Sequence, residues 1–402
     1  MSPAANNLVR WRPEPGAVLG FHKGLARTVL VSVSDLEQRL AKGARACLPR
    51  PFESVIGLAL ASDRDALAEA LLRARTTWAP PRSFAVPETL HFEVAGACPL
   101  DCPSCYLERG AAAALPWERL RQTLQEAIDM GVLQVAFGGG EPLGYEPLEE
   151  AVALAARHGL GVSITTSGLG ADTAKLSRLR AAGLDHLQVS VPEQPSSRDA
   201  RLGDAPWAAL AAARAVGLST GANVVAASPA LTELPAIAAM ALRGGARSFN
   251  LLRPKPVARD RQSWFERNRL RGEDWRRLAV AVARIRSKMP EIRLTLDSAL
   301  SPIIGLLAPH HRPRPTAGCA AGRRFAAVDR NGRFKPCSHL QGAEEESSLA
   351  EYWKASPALA ALRSLEETID PGCRECPDLE SCRGCRAIAG GETADSDCWR
   401  GC

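Results

Sequence analysis

The sequence predicts an α/β protein around a parallel sheet, preceded by a small mixed segment and followed by a metal-stapled one. Three observations carry this prediction. Between residues 88 and 300, six strand-like runs alternate with helix-like runs, at about 30 residues per unit. After residue 300 the alternation stops and the chain becomes rich in Cys, Gly, Pro and Arg. The composition, 46% hydrophobic and 23% charged over 402 residues, is that of a folded globular chain. It excludes wholesale disorder, collagen and coiled coil, and the length suits two or three domains.

In chain order, residues 1–85 read as a small α+β unit. Strand candidates Ala17–Phe21 and Thr28–Val33 precede a helix opening at Asp35, an N-cap with Gln38 placed to reach back. More helix falls near Asp65–Arg75, and a Pro-rich linker runs from Ala79-Pro80-Pro81 to Pro87. Residues 86–300 form the α/β core. Its strand-like runs are Leu90–Val94, Leu133–Phe137, Gly161–Thr165, His186–Val191, Gly221–Ala226 and Ser248–Leu252. Helix-like runs lie between them at Trp117–Met130, Leu148–Arg157, Thr173–Ala182, Trp207–Ala215 and Leu234–Leu242. Right-handed crossovers put active residues on the loops at the strands' C-terminal ends, whether the sheet is open or a partial barrel. Residues 301–402 have too few apolar runs to bury a core and need a staple. Asp329-Arg-Asn331-Gly332-Arg reads there as a hairpin with an Asn-Gly turn, bringing Cys319 and Cys337 together.

The net charge of +6, from 50 basic and 44 acidic residues, is mild and dispersed, so nucleic acid is not an expected partner. No apolar run approaches the roughly 20 residues of a membrane span, and MSPAANNLVRWRPEPG lacks the order of a signal peptide. The expectation is a cytoplasmic protein in a reducing compartment, where twelve cysteines point to metal rather than disulfides.

Cys98-x3-Cys102-x2-Cys105 lies on one tight loop directly after the first core strand. A tetrahedral zinc site would want a fourth ligand nearby, and the next cysteine is more than 200 residues away. Three thiolates on a cubane iron–sulfur cluster leave one iron open to nitrogen and oxygen ligands. After the second strand comes Phe137-Gly138-Gly139-Gly140-Glu141-Pro142, where glycines admit close backbone approach. Thr165-Thr166-Ser167-Gly168 follows the third strand, Ser190 ends the fourth, and Arg201-Leu-Gly203 precedes the next helix.

These residues closely resemble the signature of the radical S-adenosylmethionine (SAM) superfamily. The resemblance implies a partial (β/α)6 barrel and a [4Fe–4S] cluster on Cys98, Cys102 and Cys105, whose open iron chelates SAM. It implies SAM contacts at Gly139, Gly140, Glu141 and Pro142, at Thr166 and Ser167 (Asn is usual at the latter), and at Ser190 and Arg201. Tyr106 would pack around the cluster and adenine; Asn250 and Arg253, around the sixth strand, are within reach of the adenine side but are not assigned to it. An external one-electron donor such as flavodoxin or ferredoxin is implied as well.

The C-terminal frame is Cys319-x17-Cys337, then Cys373-x2-Cys376-x5-Cys382-x2-Cys385, then Cys398. In isolation, Cys373, Cys376, Cys382 and Cys385 suit one zinc site. Beside a radical SAM core, the frame resembles the SPASM domain, which holds two auxiliary [4Fe–4S] clusters. Carried over, Cys373, Cys376, Cys382 and Cys398 hold an outer cluster, and Cys319, Cys337 and Cys385 an inner one. The spacing before Cys385 is one residue shorter than usual, and the fourth inner ligand is Cys402, a substrate group or none. Cys47 reads as a buried apolar thiol.

SPASM enzymes commonly act on peptides or protein side chains. Residues 1–85 resemble the winged-helix element that binds a leader peptide as an added strand, or serve as a structural cap. The reading is maturation of a ribosomally made peptide. Its alternatives are a radical dehydrogenase for a small molecule or a sulfatase Ser/Cys, and a non-enzymatic iron–sulfur or zinc binding protein.

Overall fold

Two sheets organise the chain in a computed structural model that describes residues 9–23, 27–34, 64–77, 79, 82–96, 98–107, 113–193, 202–256, 258, 261–301, 303–307, 318–340, 343–390, 394–398 and 400. The helix expected from Asp35, and Cys47, Arg201 and Cys402, lie outside the described residues. The larger sheet contains β4 (Thr89–Glu93), β5 (Gln134–Gly138), β6 (Gly161–Thr166), β7 (His186–Ser190), β8 (Ser219–Val225) and β9 (Ser248–Leu252), the six strands expected from sequence. It also contains β10 (Arg293–Leu296), β11 (Phe325–Val328) and β12 (Phe334–Lys335). Their order is β10-β9-β8-β7-β6-β5-β4-β11-β12, parallel throughout except for the β11–β12 hairpin, and the outer strands do not pair.

The central strands are near-continuous apolar runs because helices cover them. Leu90, Phe92, Val135, Phe137, Val162 and Ile164 are fully buried against the helices Trp117–Met130 and Leu148–Arg157. Asp172 caps the helix Thr173–Ala182 by accepting from the Lys175 amide at 2.7 Å, satisfying one of its orphan donors. Strand-to-helix direction is thus set locally, and every β-to-α loop emerges at one edge of the sheet.

The expected Asn-Gly hairpin forms, with Asp329 accepting from the Asn331 and Arg333 amides at 2.9 Å each. Its first strand pairs in parallel with β4, Phe325 opposite Thr89 and Val328 opposite Phe92. The C-terminal segment therefore continues the core sheet. Trp353 anchors it: the side chain is fully buried, its indole nitrogen donates to the Phe84 carbonyl at 3.1 Å, and Arg363 lies over the ring at 4.6 Å.

The smaller sheet is antiparallel, with β1 (Val9–Glu14), β2 (Ala17–His22) and β3 (Arg27–Ser32) in that order. β2 is buried on both faces. Val18 packs with Leu67 and Ala70 of the helix Arg64–Ala74, while Leu19 and Phe21 pack on Phe84 and Leu133. Arg12 fastens this sheet to the core by donating to the carbonyls of Pro87 at 2.9 Å and Val86 at 3.1 Å, beside its ion pair with Glu14. The docking point precedes β4, at the sheet edge opposite the cysteine loop.

Trp353 joins three parts of the chain, so Trp353→Ala should lower the unfolding free energy by roughly 3–5 kcal/mol. Chemical denaturation of the full-length protein, followed by far-UV circular dichroism, measures this directly.

Candidate functional site

The strand ends β4 and β5 run together into the two principal motifs. Val94 donates to the Gly138 carbonyl at 2.8 Å and Ala95 to that of Gly139 at 3.2 Å, so the ladder continues past both strands. The cysteine loop and the glycine loop therefore start side by side. Gly139 and Gly140 take positive φ values of 71° and 65°. A Cβ on Gly139 would fall 2.7 Å from the Glu93 Cα, and one on Gly140 would fall 2.9 Å from the Ala95 carbonyl oxygen. Only glycine fits this approach.

Glu141 gathers the rest. Its buried carboxylate accepts from the Leu143 amide at 3.2 Å, the Thr166 hydroxyl at 2.5 Å and the Ser167 amide at 2.9 Å, and from the Ser167 hydroxyl. Thr166 in turn accepts from the Gly168 amide at 2.9 Å. The glycine loop after β5 and the Thr-Ser-Gly turn after β6 are thus one hydrogen-bonded unit. Ser167, standing where Asn was expected, is held by the same carboxylate. Ser190 ends β7, exposed, opposite Asn223 in the β7–β8 pairing.

In the cysteine loop, Cys98 is exposed, while Cys102 and Cys105 are half-buried. The Cys105 amide donates to the Cys102 carbonyl at 3.1 Å, a tight turn that directs the loop back on itself. Burial pushes the Cys98 thiol up, and the neighbouring Glu141 and Cys105 add to the effect. Cys98 therefore faces both another thiol and the Glu141 unit. Three thiols on one tight loop beside a polar, glycine-lined loop are the donor set of a cluster with one iron left for a small ligand.

Sequence reasoning missed what secures this loop. Buried Arg261 donates to the carbonyls of Cys105 at 3.3 Å and Leu107 at 3.2 Å and pairs with Asp101 at 3.5 Å. Glu193 bonds Ser104, and burial raises its carboxyl. Tyr106 lies under the loop, with its ring 4.6 Å from that of His339 and its hydroxyl bonded to Ser338. Its neighbours thus include C-terminal residues. Asn250 bonds Asn223 at 2.9 Å. Arg253 gives both its terminal nitrogens to Asp395, at 2.6 and 2.9 Å.

The C-terminal cysteines lie in two neighbourhoods. Cys373, Cys376, Cys382 and Cys398 line one small cavity together with Asp378 and Asp395. Cys319, Cys337 and Cys385 form the second group, each thiol raised by burial and then by a neighbouring cysteine of the set. The short spacing before Cys385 is accommodated by Arg383 and Gly384, both left-handed at φ 59° and 60°. That turn sends Cys382 to one group and Cys385 to the other. The donor sets of four and three thiols suit iron–sulfur ligation.

A cavity of about 350 Å³ lies beside the end of β4 and the β11–β12 hairpin, lined by Glu93, Tyr106, Asp329, Arg330, Lys335 and Ser338. Its floor holds a Lys335–Glu93 ion pair at 3.3 Å. It adjoins Tyr106, next to Cys105, on one side and Ser338, next to Cys337, on the other. Among the described residues no helix is long and apolar enough to cross a membrane.

Residues 92–219 match the model of the Radical SAM superfamily. The chain is 31% identical over 334 residues to a PqqA peptide cyclase of Granulibacter bethesdensis, covering 77% of this chain and 85% of that protein. It is likewise 31% identical over 338 residues to a PqqA peptide cyclase of Gluconobacter oxydans, covering 77% and 89%. Its fold is similar to Streptococcus suis SuiB bound to S-adenosylmethionine, with a TM-score of 0.73 over 96% of both chains at 18% identity. It is also similar to anSMEcpe with bound AdoMet, with a TM-score of 0.61 over 78% of this chain and 94% of that one at 14% identity. The β4 loop with its three cysteines, the glycine loop after β5 and this degree of relatedness have one reading: the chain belongs to the radical SAM superfamily.

Proposed function

We propose that this protein is a radical SAM peptide maturase that abstracts hydrogen from a ribosomally made peptide and installs a crosslink in it. The observation that carries the reading is the convergence of the Cys98–Cys105 loop with the Glu141 unit at the strand ends. Relatives named as peptide cyclases supply the substrate class. When bound, the cluster and SAM supply a 5′-deoxyadenosyl radical.

The chain's own residues position the reaction. Cys98, Cys102 and Cys105 hold the core cluster. Gly139 and Gly140 bring backbone against the SAM amino group, and Glu141 and Pro142 shape that loop. Thr166, Ser167 and Ser190 would line the ribose and carboxylate side, with Tyr106 packing below; Arg201 joins them by the family motif alone. Cys373, Cys376, Cys382 and Cys398 hold the outer auxiliary cluster, and Cys319, Cys337 and Cys385 the inner one. The cavity of about 350 Å³ receives the substrate, because it adjoins Tyr106, next to Cys105, and Ser338, next to Cys337. Residues 86–300 form the radical core and 301–402 the auxiliary-cluster domain. Residues 1–85 bind a leader segment: among the described residues β1 and β3 are the outer strands of a small sheet, the geometry that strand addition uses. An external flavodoxin or ferredoxin delivers the initiating electron in the cytoplasm.

Anaerobic reconstitution followed by dithionite, SAM and a genomically adjacent precursor peptide tests the reading. About twelve irons per chain, 5′-deoxyadenosine and a peptide lighter by about two hydrogens are expected. About four irons with zinc in the tail would overturn the auxiliary-cluster assignment. Cys98→Ala should abolish 5′-deoxyadenosine formation while leaving the auxiliary electron paramagnetic resonance signals intact. Cys376→Ala should lower iron content and soluble yield more than SAM binding, since the tail depends on its metal. Gly140→Ala should weaken SAM binding roughly tenfold or more through backbone strain, with iron content unchanged. Equilibrium dialysis of labelled SAM reads that loss.

A further inference from the structure

A buried charge pair stands at the inner group of cysteines and has no part in the reading above. Lys255 follows β9 and Asp297 follows β10, and their side chains bond each other with only 12% and 13% exposure. Asp297 is fixed from its other sides by the Ala299 amide at 3.1 Å and the Arg253 amide at 3.3 Å. Burial opposes both charges, yet each keeps the other ionised: Lys255 is raised and Asp297 lowered from its ordinary range.

The pair's contacts lead to the same thiols. Ala299, whose amide donates to Asp297, packs in one buried cluster with Cys385, and Arg253, whose amide also donates to Asp297, holds the Asp395 carboxylate that binds the Cys385 amide. Lys255 is accordingly within electrostatic reach of Cys337 and Cys385, and Asp297 within reach of Cys319, Cys337 and Cys385. The other charged or titratable groups facing this region have their own engagements. Arg253 gives both terminal nitrogens to Asp395. Arg386 acts on Cys319, and neutral His339 stacks on Tyr106.

The geometry points to the Lys255–Asp297 pair as the element that sets the reduction potential of the inner auxiliary cluster, the ammonium raising it and the carboxylate lowering it. This rests on the assignment of Cys319, Cys337 and Cys385 as that cluster's ligands. Reduction adds one electron, hence one negative charge, at the cluster. In a low-dielectric interior a fixed cation favours the reduced form and a fixed anion opposes it. Lys255 acts on the sulfurs without ligating iron, so it is a positioning residue for charge.

The test is a stepwise anaerobic reductive titration of the reconstituted full-length protein, read by electron paramagnetic resonance. It compares wild type with Lys255→Met, Lys255→Arg, Asp297→Asn and the double variant Lys255→Met/Asp297→Asn. The inner-cluster midpoint should fall in Lys255→Met, rise in Asp297→Asn, and lie between these in the double variant, which keeps the volume of the pair without its charges. Lys255→Arg should stay near wild type. Where one single variant fails to fold, the other single variant and Lys255→Arg still separate charge from packing: an unmoved midpoint in the charge-removing variant, or an equal shift in Lys255→Arg, overturns the inference. Absence of an inner-cluster signal in the wild type overturns the ligand assignment and the inference with it.

Discussion

The arrangement depends on one buried contact, the two-pronged pair between Arg253 and Asp395. The side chains are 1% and 5% exposed, and the guanidinium also lies 5.0 Å over the Trp275 ring. Asp395 at the same time accepts from the amides of Cys385 and Asp397, each at 3.1 Å. One carboxylate thus ties the end of β9 to the backbone of a cysteine and to the tail that carries Cys398. Trp275 and Arg269 extend the fastening to Asp397. Such a pair adds little net stability over an apolar contact, because desolvation offsets most of the attraction. Losing one partner, however, strands a buried charge at a cost of roughly 3–5 kcal/mol. Its effect is geometric: it admits one placement of the cysteine-rich tail on the barrel mouth.

Glu141 plays the matching part at the other cysteine loop. A carboxylate accepting four hydrogen bonds in a buried place is well satisfied without a cationic partner. Those bonds come from two β-to-α loops, so their relative position is rigid. The glycines beside it then let the β4 and β5 ends touch. The core site is therefore built from backbone proximity and one acceptor, whereas the C-terminal side is held by charge pairs. The difference follows from sequence: the core has continuous apolar strands behind it, and the tail does not.

The six central strands were legible because strands buried on both faces leave continuous apolar runs. The helices Trp117–Met130, Leu148–Arg157 and Thr173–Ala182 were legible to the residue. β10 was not, being four residues long and half-buried at the sheet edge. β1 was hidden by Arg10, Arg12, Pro13 and Glu14, whose charges read as surface although Arg12 and Glu14 are buried together. The pairing of β11 with β4 spans more than 200 residues and leaves no local pattern. The cysteine and glycine motifs stood out by their spacing, and their reading as a radical SAM site came from the family resemblance. Arg261, Glu193 and Arg253 were not, since nothing local separates a buried arginine or glutamate from the exposed ones of a chain with 50 basic and 44 acidic residues.

The two cysteine regions also differ in what they require of the metal. Burial pushes Cys385 up to about 11 and Cys382 up to about 12, so these thiols carry protons at neutral pH unless iron displaces them. Ligation there must release protons and is coupled to folding of a segment that has little core of its own. The tail's short helices are single turns, such as Pro371–Arg374 and Leu379–Cys382, which do not persist alone. Cys98 is exposed on a loop that the apolar strands β4 and β5 present from behind. The contrast is sharpest between two sulfurs: Cys98 stands exposed after β4, whereas Cys385 is buried beside the Asp395 carboxylate that binds its amide and pairs with Arg253.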